Sequence, residues 1–171
     1  NFHCHTTCSD GSLTPNQLIL QATRNKLRHL AVTDHHTIES FLIINRWINE
    51  NHHNFPTVPK VWSGIEISGL LDKKLVHILG LDFDISTVSM MAYFKKQSVI
   101  GKYLQADYIV NSIHDAGGLA ILAHPARYKC NLERLLEKAN QLCFDGAEAW
   151  YDYSYSKPWE PTSNICEKIN S

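Results

Sequence analysis

The chain has 171 residues, 44% of them hydrophobic and 19% charged. That balance suits one packed domain over residues 1–171 and excludes wholesale disorder. Sixteen Lys and Arg against seventeen Asp and Glu give a formal net charge of −1, which excludes a strongly basic chain that tracks long nucleic acid by charge alone.

In chain order, His3-Cys4-His5 opens as a strand. Thr14-Pro15-Asn16-Gln17 starts a helix, with Thr as N-cap, Pro at the first position and Gln at the capping-box position. Leu18, Ile19, Ala22 and Leu27 supply its buried face. A short strand over 30–33 leads into Asp34-His35, and a helix over 37–51 follows. His52-His53-Asn54-Phe55-Pro56 is a loop. Strands are predicted over 61–67 and 75–83, then a long helical region over 87–116 closed by Gly117-Gly118. Residues 119–123 form a continuous apolar strand of the kind buried on both faces. Leu132, Leu135, Leu136, Ala139 and Leu142 follow helical spacing. A strand over 144–150 and a last helix over 160–170 complete the pattern. Strands alternating with helices predict a parallel α/β fold.

Ten histidines against two methionines direct attention to metal or acid–base chemistry. In a strand, residues i and i+2 face the same way, so His3 and His5 point to one side and make a natural start for a divalent metal site. Asp10 follows in a Ser-Asp-Gly turn, and His35 comes just after the second strand. Glu66 lies near the end of the third strand, His77 lies in the fourth, and His124 directly follows the fifth. Apolar strands thus deliver ligand-type residues at or near their ends, where active sites of parallel α/β proteins gather. A carboxylate inside an apolar strand, as at Glu66, needs a partner.

The segments HCHTTCSDG, AVTDHHT, SGIEI, HILG and AILAHPARY resemble the motifs of the PHP (polymerase and histidinol phosphatase) family. The resemblance runs in order from His3 to about Tyr151. It implies an α/β fold of the distorted (β/α)7 TIM-like barrel type, with about six of seven strands in this chain. It also implies up to three divalent ions, Mn, Zn or Fe, and hydrolysis of phosphoesters. Carried over by motif, His3 and His5 would hold one metal, and Glu66 would bridge it to a second held by His77 and His124. Asp10 and His35 would hold the third. Clustered ions lower the pKa of a bridging water and neutralise phosphate oxygens, so hydroxide between the first two would attack phosphorus. Arg127 is a candidate phosphate clamp. His36 is a candidate leaving-group acid, and Asp34 a residue that orients a ligand. The aromatic stretch Trp150-Tyr151-Asp152-Tyr153-Ser154-Tyr155 could stack a nucleobase or pack across the barrel mouth.

The chain departs from the family pattern where it stops, at Ser171, before a final strand that normally carries a Ser-Asp-x-His-like motif and two further ligands. Asn1 stands where the family usually has Asp, and His36 replaces a common Asp. The stretch between His77 and His124 lacks a helical insertion frequent in members that act on nucleotide bisphosphates or RNA ends. The start lacks an initiator Met, so the sequence reads as an excised or processed piece. The expected activity is hydrolysis of a phosphomonoester of a small metabolite or nucleotide. The alternatives are a 5′-3′ exonuclease or nucleotide bisphosphate phosphatase, and a non-catalytic metal-stabilised module. Five cysteines without a C-x-x-C pair predict no disulfide framework and a cytoplasmic setting. No apolar run is long enough for a membrane span.

Overall fold

The computed structural model of the protein describes residues 1–55 and 57–151. Helix α1 covers Pro15–Arg24. Its capping box forms as the sequence predicts: Thr14 Oγ1 accepts the Gln17 N–H, and Gln17 Oε1 accepts the Thr14 N–H at 2.9 Å. The face carrying Ile19 and Ala22 packs with Leu30, Val32 and Ile44 in a small core. Ile44 belongs to α2, Glu39–Asn51.

Strand β1, His29–Ala31, pairs in parallel with β2, Lys60–Trp62, His29 opposite Lys60. The N-terminal segment lies along β1, with the Ala31 N–H donating to the Asn1 carbonyl and the Thr33 N–H to that of Cys4, both at 2.9 Å. A second sheet has the order β3-β4-β5-β6. Its strands are Gly64–Leu71, Lys74–Leu81, Leu119–Leu122 and Gly146–Ala147. An isolated parallel bridge between His35 and Glu66 joins the two sheets.

The sheet is mixed, which corrects the all-parallel expectation. Strand β4 runs antiparallel to both β3 and β5. It follows β3 through a two-residue hairpin at Asp72-Lys73, whose φ angles are 46° and 64°. Two left-handed residues fit a turn matched to strand twist. The sequence carried no signal for it, because Asp-Lys replaces the usual glycine. The strand predicted over 61–67 is divided at Ser63, whose hydroxyl donates to the Phe83 carbonyl at 2.6 Å while the chain passes from one sheet to the other. Among the described residues the strands do not close into a ring.

The predicted helical region over 87–116 is mostly short 3-10 turns, Val88–Tyr93 and Gly101–Leu104, before α3, Ala106–Asp115. Gly117, with φ 74°, takes the left-handed position after α3 at little steric cost. Helix α4, Leu132–Gln141, is capped by Asn131. Strand β6 is two residues long rather than the seven predicted over 144–150. The helix predicted over 160–170 lies outside the described residues, as do Tyr153 and Tyr155. Ile65, Ile67, Val76, Ile78 and Leu122 from the sheet and Ile109, Ile113, Leu135, Leu136 and Ala139 from α3 and α4 form the main core. No helix among the described residues is long and apolar enough to cross a membrane.

The antiparallel run of β4 matters for function. Its N-terminal half lies at the same end of the sheet as the C-terminal ends of β3 and β5, so Ser68 faces His77 and the Ala123 N–H donates to the His77 carbonyl at 3.0 Å. His77 therefore arrives beside His124 and Glu66 although it comes early in its own strand.

Candidate metal centre

All seven residues singled out as ligands come together around Glu66. The Oε2 atom of this buried carboxylate lies 3.3 Å from His3 Nε2, 3.0 Å from His5 Nε2 and 3.6 Å from His35 Nε2. Its Oε1 lies 2.8 Å from His77 Nδ1 and 3.1 Å from His124 Nε2. Asp10 sits at the outer edge, its Oδ1 3.3 Å from His5 Nδ1 and its Oδ2 3.6 Å from His35 Nε2. Three triads bring one ligand atom from each residue within 4.8 Å of one another: His3, His5 and Glu66; His5, Asp10 and His35; and His35, Glu66 and His77.

The donor set fits divalent cations. Five ring nitrogens crowd a carboxylate that offers about four lone-pair directions. His77 Nδ1 is buried and, despite its 2.8 Å approach to Glu66, is not aligned for a hydrogen bond. The Nε2 atoms of His3 and His5 face each other at 3.2 Å, an arrangement that suits two lone pairs directed at one ion. Imidazole nitrogen and carboxylate oxygen are the ligands of Zn, Mn and Fe sites.

Electrostatics keep the cluster poised. Burial alone would raise the pKa of Glu66, but the imidazoles of His124, His3, His5 and His77 outweigh it and hold the carboxyl far below the usual range. For His3, burial acts to lower the pKa, but Glu148 and Glu66 prevail and raise it from 6.5 to about 9. Burial, assisted by the charge of His5 and His77, lowers the pKa of His35.

Local folding aims the ligands. Residues 6–11 turn back so closely that a Cβ on Gly11 would lie 2.2 Å from the His5 carbonyl oxygen. Buried Asp34 fastens this turn: its carboxylate accepts the Thr6 N–H at 2.6 Å, the Thr6 hydroxyl at 2.7 Å and the Ser9 hydroxyl at 2.6 Å. It thus steadies the loop that carries His5 and Asp10. His124 adopts a left-handed backbone, φ 30° and ψ 57°, immediately before a 3-10 turn over Pro125–Arg127. A non-glycine residue holds that conformation only where its surroundings fix it.

The other predicted residues are placed differently. His36 is buried, with φ 52°, and its Nε2 accepts the Ser68 N–H at 3.2 Å. Burial and the neighbouring His35 and His77 lower its pKa to about 4. Arg127 is exposed, and its charge reaches Tyr128 and Tyr151. Trp150 is 62% exposed, whereas the Tyr151 ring lies 5.6 Å from that of His3 and 4.9 Å from that of His124.

Two participants escaped the sequence reading. Tyr128 accepts the His77 backbone N–H on its phenol oxygen at 2.6 Å and so braces β4. Glu148, just past β6, contacts His3 Nδ1 through Oε1 at 2.8 Å and accepts the His124 N–H on Oε2 at 2.6 Å. The only sequence signal for either is its position near the end of a strand or beside a ligand motif.

Comparison with known proteins agrees with this geometry. The model of the PHP domain family matches residues 1–154. The 5′-3′ exoribonuclease Rnm of Escherichia coli is 29% identical over 141 residues, 75% of this chain and 47% of that protein. A 5′-3′ exoribonuclease of Haemophilus influenzae is 33% identical over 75% of this chain and 49% of its own length. The chain thus spans about half the length of these curated relatives. Among solved structures, an amidohydrolase from Chromobacterium violaceum with bound sulfate and no metal superposes with a TM-score of 0.80 at 18% identity, covering 99% of this chain and 83% of that one. A protein provisionally assigned as a metal-dependent phosphoesterase from Bifidobacterium adolescentis does so with a TM-score of 0.76 at 18% identity, again over 99% and 83% of the two chains. At that identity the likeness establishes the fold.

Proposed function

Because the chain belongs to the PHP domain family, we propose that it contributes the metal centre of a phosphoesterase. The observation that carries this is the approach of five imidazoles to the two oxygens of buried Glu66. His3, His5, Asp10, His35, Glu66, His77 and His124 would hold divalent ions there. When bound, such ions supply Lewis acidity, an activated water at neutral pH and charge to offset phosphate oxygens.

The protein's own groups do the rest. Glu66, with one oxygen toward each imidazole set, would contribute a carboxylate oxygen to ions on both sides. Arg127, exposed after the His124 turn, would present a planar fork to an arriving phosphate. His36 serves as a positioning residue: its Nε2 fixes β3 at Ser68, two residues from Glu66, and a ring with a pKa near 4 is neutral at pH 7. Tyr128 holds the His77 end of β4.

Two substrates suit such a site, a small phosphomonoester and the 5′ end of an RNA. The second is favoured by the relatives named 5′-3′ exoribonuclease. The test measures Mn-dependent hydrolysis by full-length protein of nucleotides, sugar phosphates and 5′-phosphorylated oligoribonucleotides, with Glu66→Gln in parallel. Stepwise shortening of RNA from the 5′ end, abolished by the substitution and by chelator, is the expected result. Phosphate release from small esters alone would assign the phosphomonoesterase. No turnover of either class by folded, metal-loaded protein would overturn the proposal.

A further inference from the structure

Glu148 makes two contacts of different kinds, one per carboxylate oxygen. Oε1 lies 2.8 Å from His3 Nδ1, and Oε2 accepts the His124 backbone N–H at 2.6 Å. The Glu148 N–H itself donates to the Leu122 carbonyl at 2.9 Å, which fixes the residue beside the end of β5. One side chain therefore ties together residues far apart in the sequence, His3 near the N-terminus and His124 after β5, whose rings lie 5.7 Å apart.

We infer that Glu148 is a positioning residue that selects the His3 tautomer with its proton on Nδ1 and locks the strained His124 backbone, presenting both Nε2 atoms to the metal centre. The inference rests on the ligand assignment proposed above. The chemistry is specific. A neutral imidazole carries one proton, and a carboxylate beside Nδ1 places it there, leaving the Nε2 lone pair free for a cation. Carboxylates that hold a ligating imidazole in this way tune metal affinity. The second contact acts on conformation, because the His124 N–H needs an acceptor exactly where φ is 30°.

The two contacts make glutamine the informative replacement. The His124 backbone N–H can only donate, so in Glu148→Gln the amide oxygen must turn to it. The amide NH2 group then faces His3 Nδ1. His3 must accept there and move its proton to Nε2, the atom needed for the metal. Glutamine therefore preserves size and the His124 contact while inverting the His3 tautomer. Alanine removes both contacts and leaves His3 free to choose.

The experiment titrates zinc into metal-free full-length protein and its Glu148→Gln, Glu148→Ala and His3→Ala variants, with unfolding midpoints of the metal-free forms alongside. Nitrogen NMR of the zinc-loaded, 15N-histidine-labelled protein reads the His3 tautomer directly. We expect Glu148→Gln to weaken zinc binding by about 10–100-fold, at least as much as Glu148→Ala, while its metal-free midpoint stays closer to that of the parent. The parent's His3 should show its proton on Nδ1. A merely structural role predicts the opposite order of affinity, alanine worse than glutamine, and would overturn the inference. So would parent-like zinc affinity in Glu148→Gln when His3→Ala loses it. If His3→Ala also binds zinc like the parent, the ligand assignment itself fails, and the inference with it.

Discussion

At the residue scale, His3 shows how one side chain links protons, metal and stability. In the metal-free protein its pKa is raised to about 9 by Glu148 and Glu66 against the opposing effect of burial. A raised histidine pKa contributes stability that is complete below 6.5 and is lost as pH climbs through about 9. Metal held by His3 would expel the same proton, so the loaded protein would not share that loss. The difference in unfolding midpoint between zinc-loaded and metal-free protein should therefore widen from pH 6.5 to about 9. Scanning calorimetry at buffered free zinc checks this; a gap that narrows over the window contradicts it. The clustered residues were legible in the sequence because strand alternation pairs His3 with His5, because Glu66 interrupts an apolar strand and because His124 directly follows one. Glu148 was not legible: it precedes nothing with ligand spacing, and its partner His3 lies 145 residues away.

At the element scale, the turn over residues 6–11 and helix α1 respond to substitution in opposite ways. Gly11 packs so tightly on His5 that a Cβ meets the carbonyl oxygen at 2.2 Å. Gly11→Ala must displace the backbone that aims His5 and Asp10. We expect a loss of about 1–3 kcal/mol, the usual cost of overpacking, together with at least tenfold weaker metal binding, measured by denaturant unfolding and zinc titration. Thr14→Ala removes the capping box of α1. It should cost about 1 kcal/mol and leave zinc affinity unchanged, since α1 meets the small core and not the site. Parent-like affinity in the first variant, or weakened affinity in the second, would break this distinction. The same contrast marks what sequence could reveal. Capping is local chemistry, written in Thr14, Pro15 and Gln17. The β3–β4 hairpin is not, because Asp72 and Lys73 accept positive φ only under the constraint of pairing over eight register positions. Without that turn the reversal of β4 was invisible, although the arrival of His77 at the site was foreseen.

At the scale of the whole molecule, the centre is assembled from residues 3 to 124, with Glu148 behind them, and no single element supplies it. The N-terminal segment joins β1, the His35–Glu66 bridge links the two sheets, and Glu66 draws imidazoles from both. Ions bound there would cross-link the small core to the main core. Their binding energy would then count toward global folding, because the unfolded chain does not hold these groups together. At free zinc one hundred times the dissociation constant, one bound ion adds about 2.7 kcal/mol. For a domain of this size that raises the midpoint by roughly 5–10 °C. Chelation should lower it by that amount, in a single transition seen equally by far-UV and near-UV circular dichroism. Two separate transitions, or a midpoint indifferent to chelator, would mean that the sheets unfold independently and that the centre does not join them. Glu66→Gln separates the contributions further. The amide keeps one acceptor oxygen but loses the charge shared by both imidazole sets, so the metal-free variant should be destabilised and the chelator-sensitive increment should largely disappear.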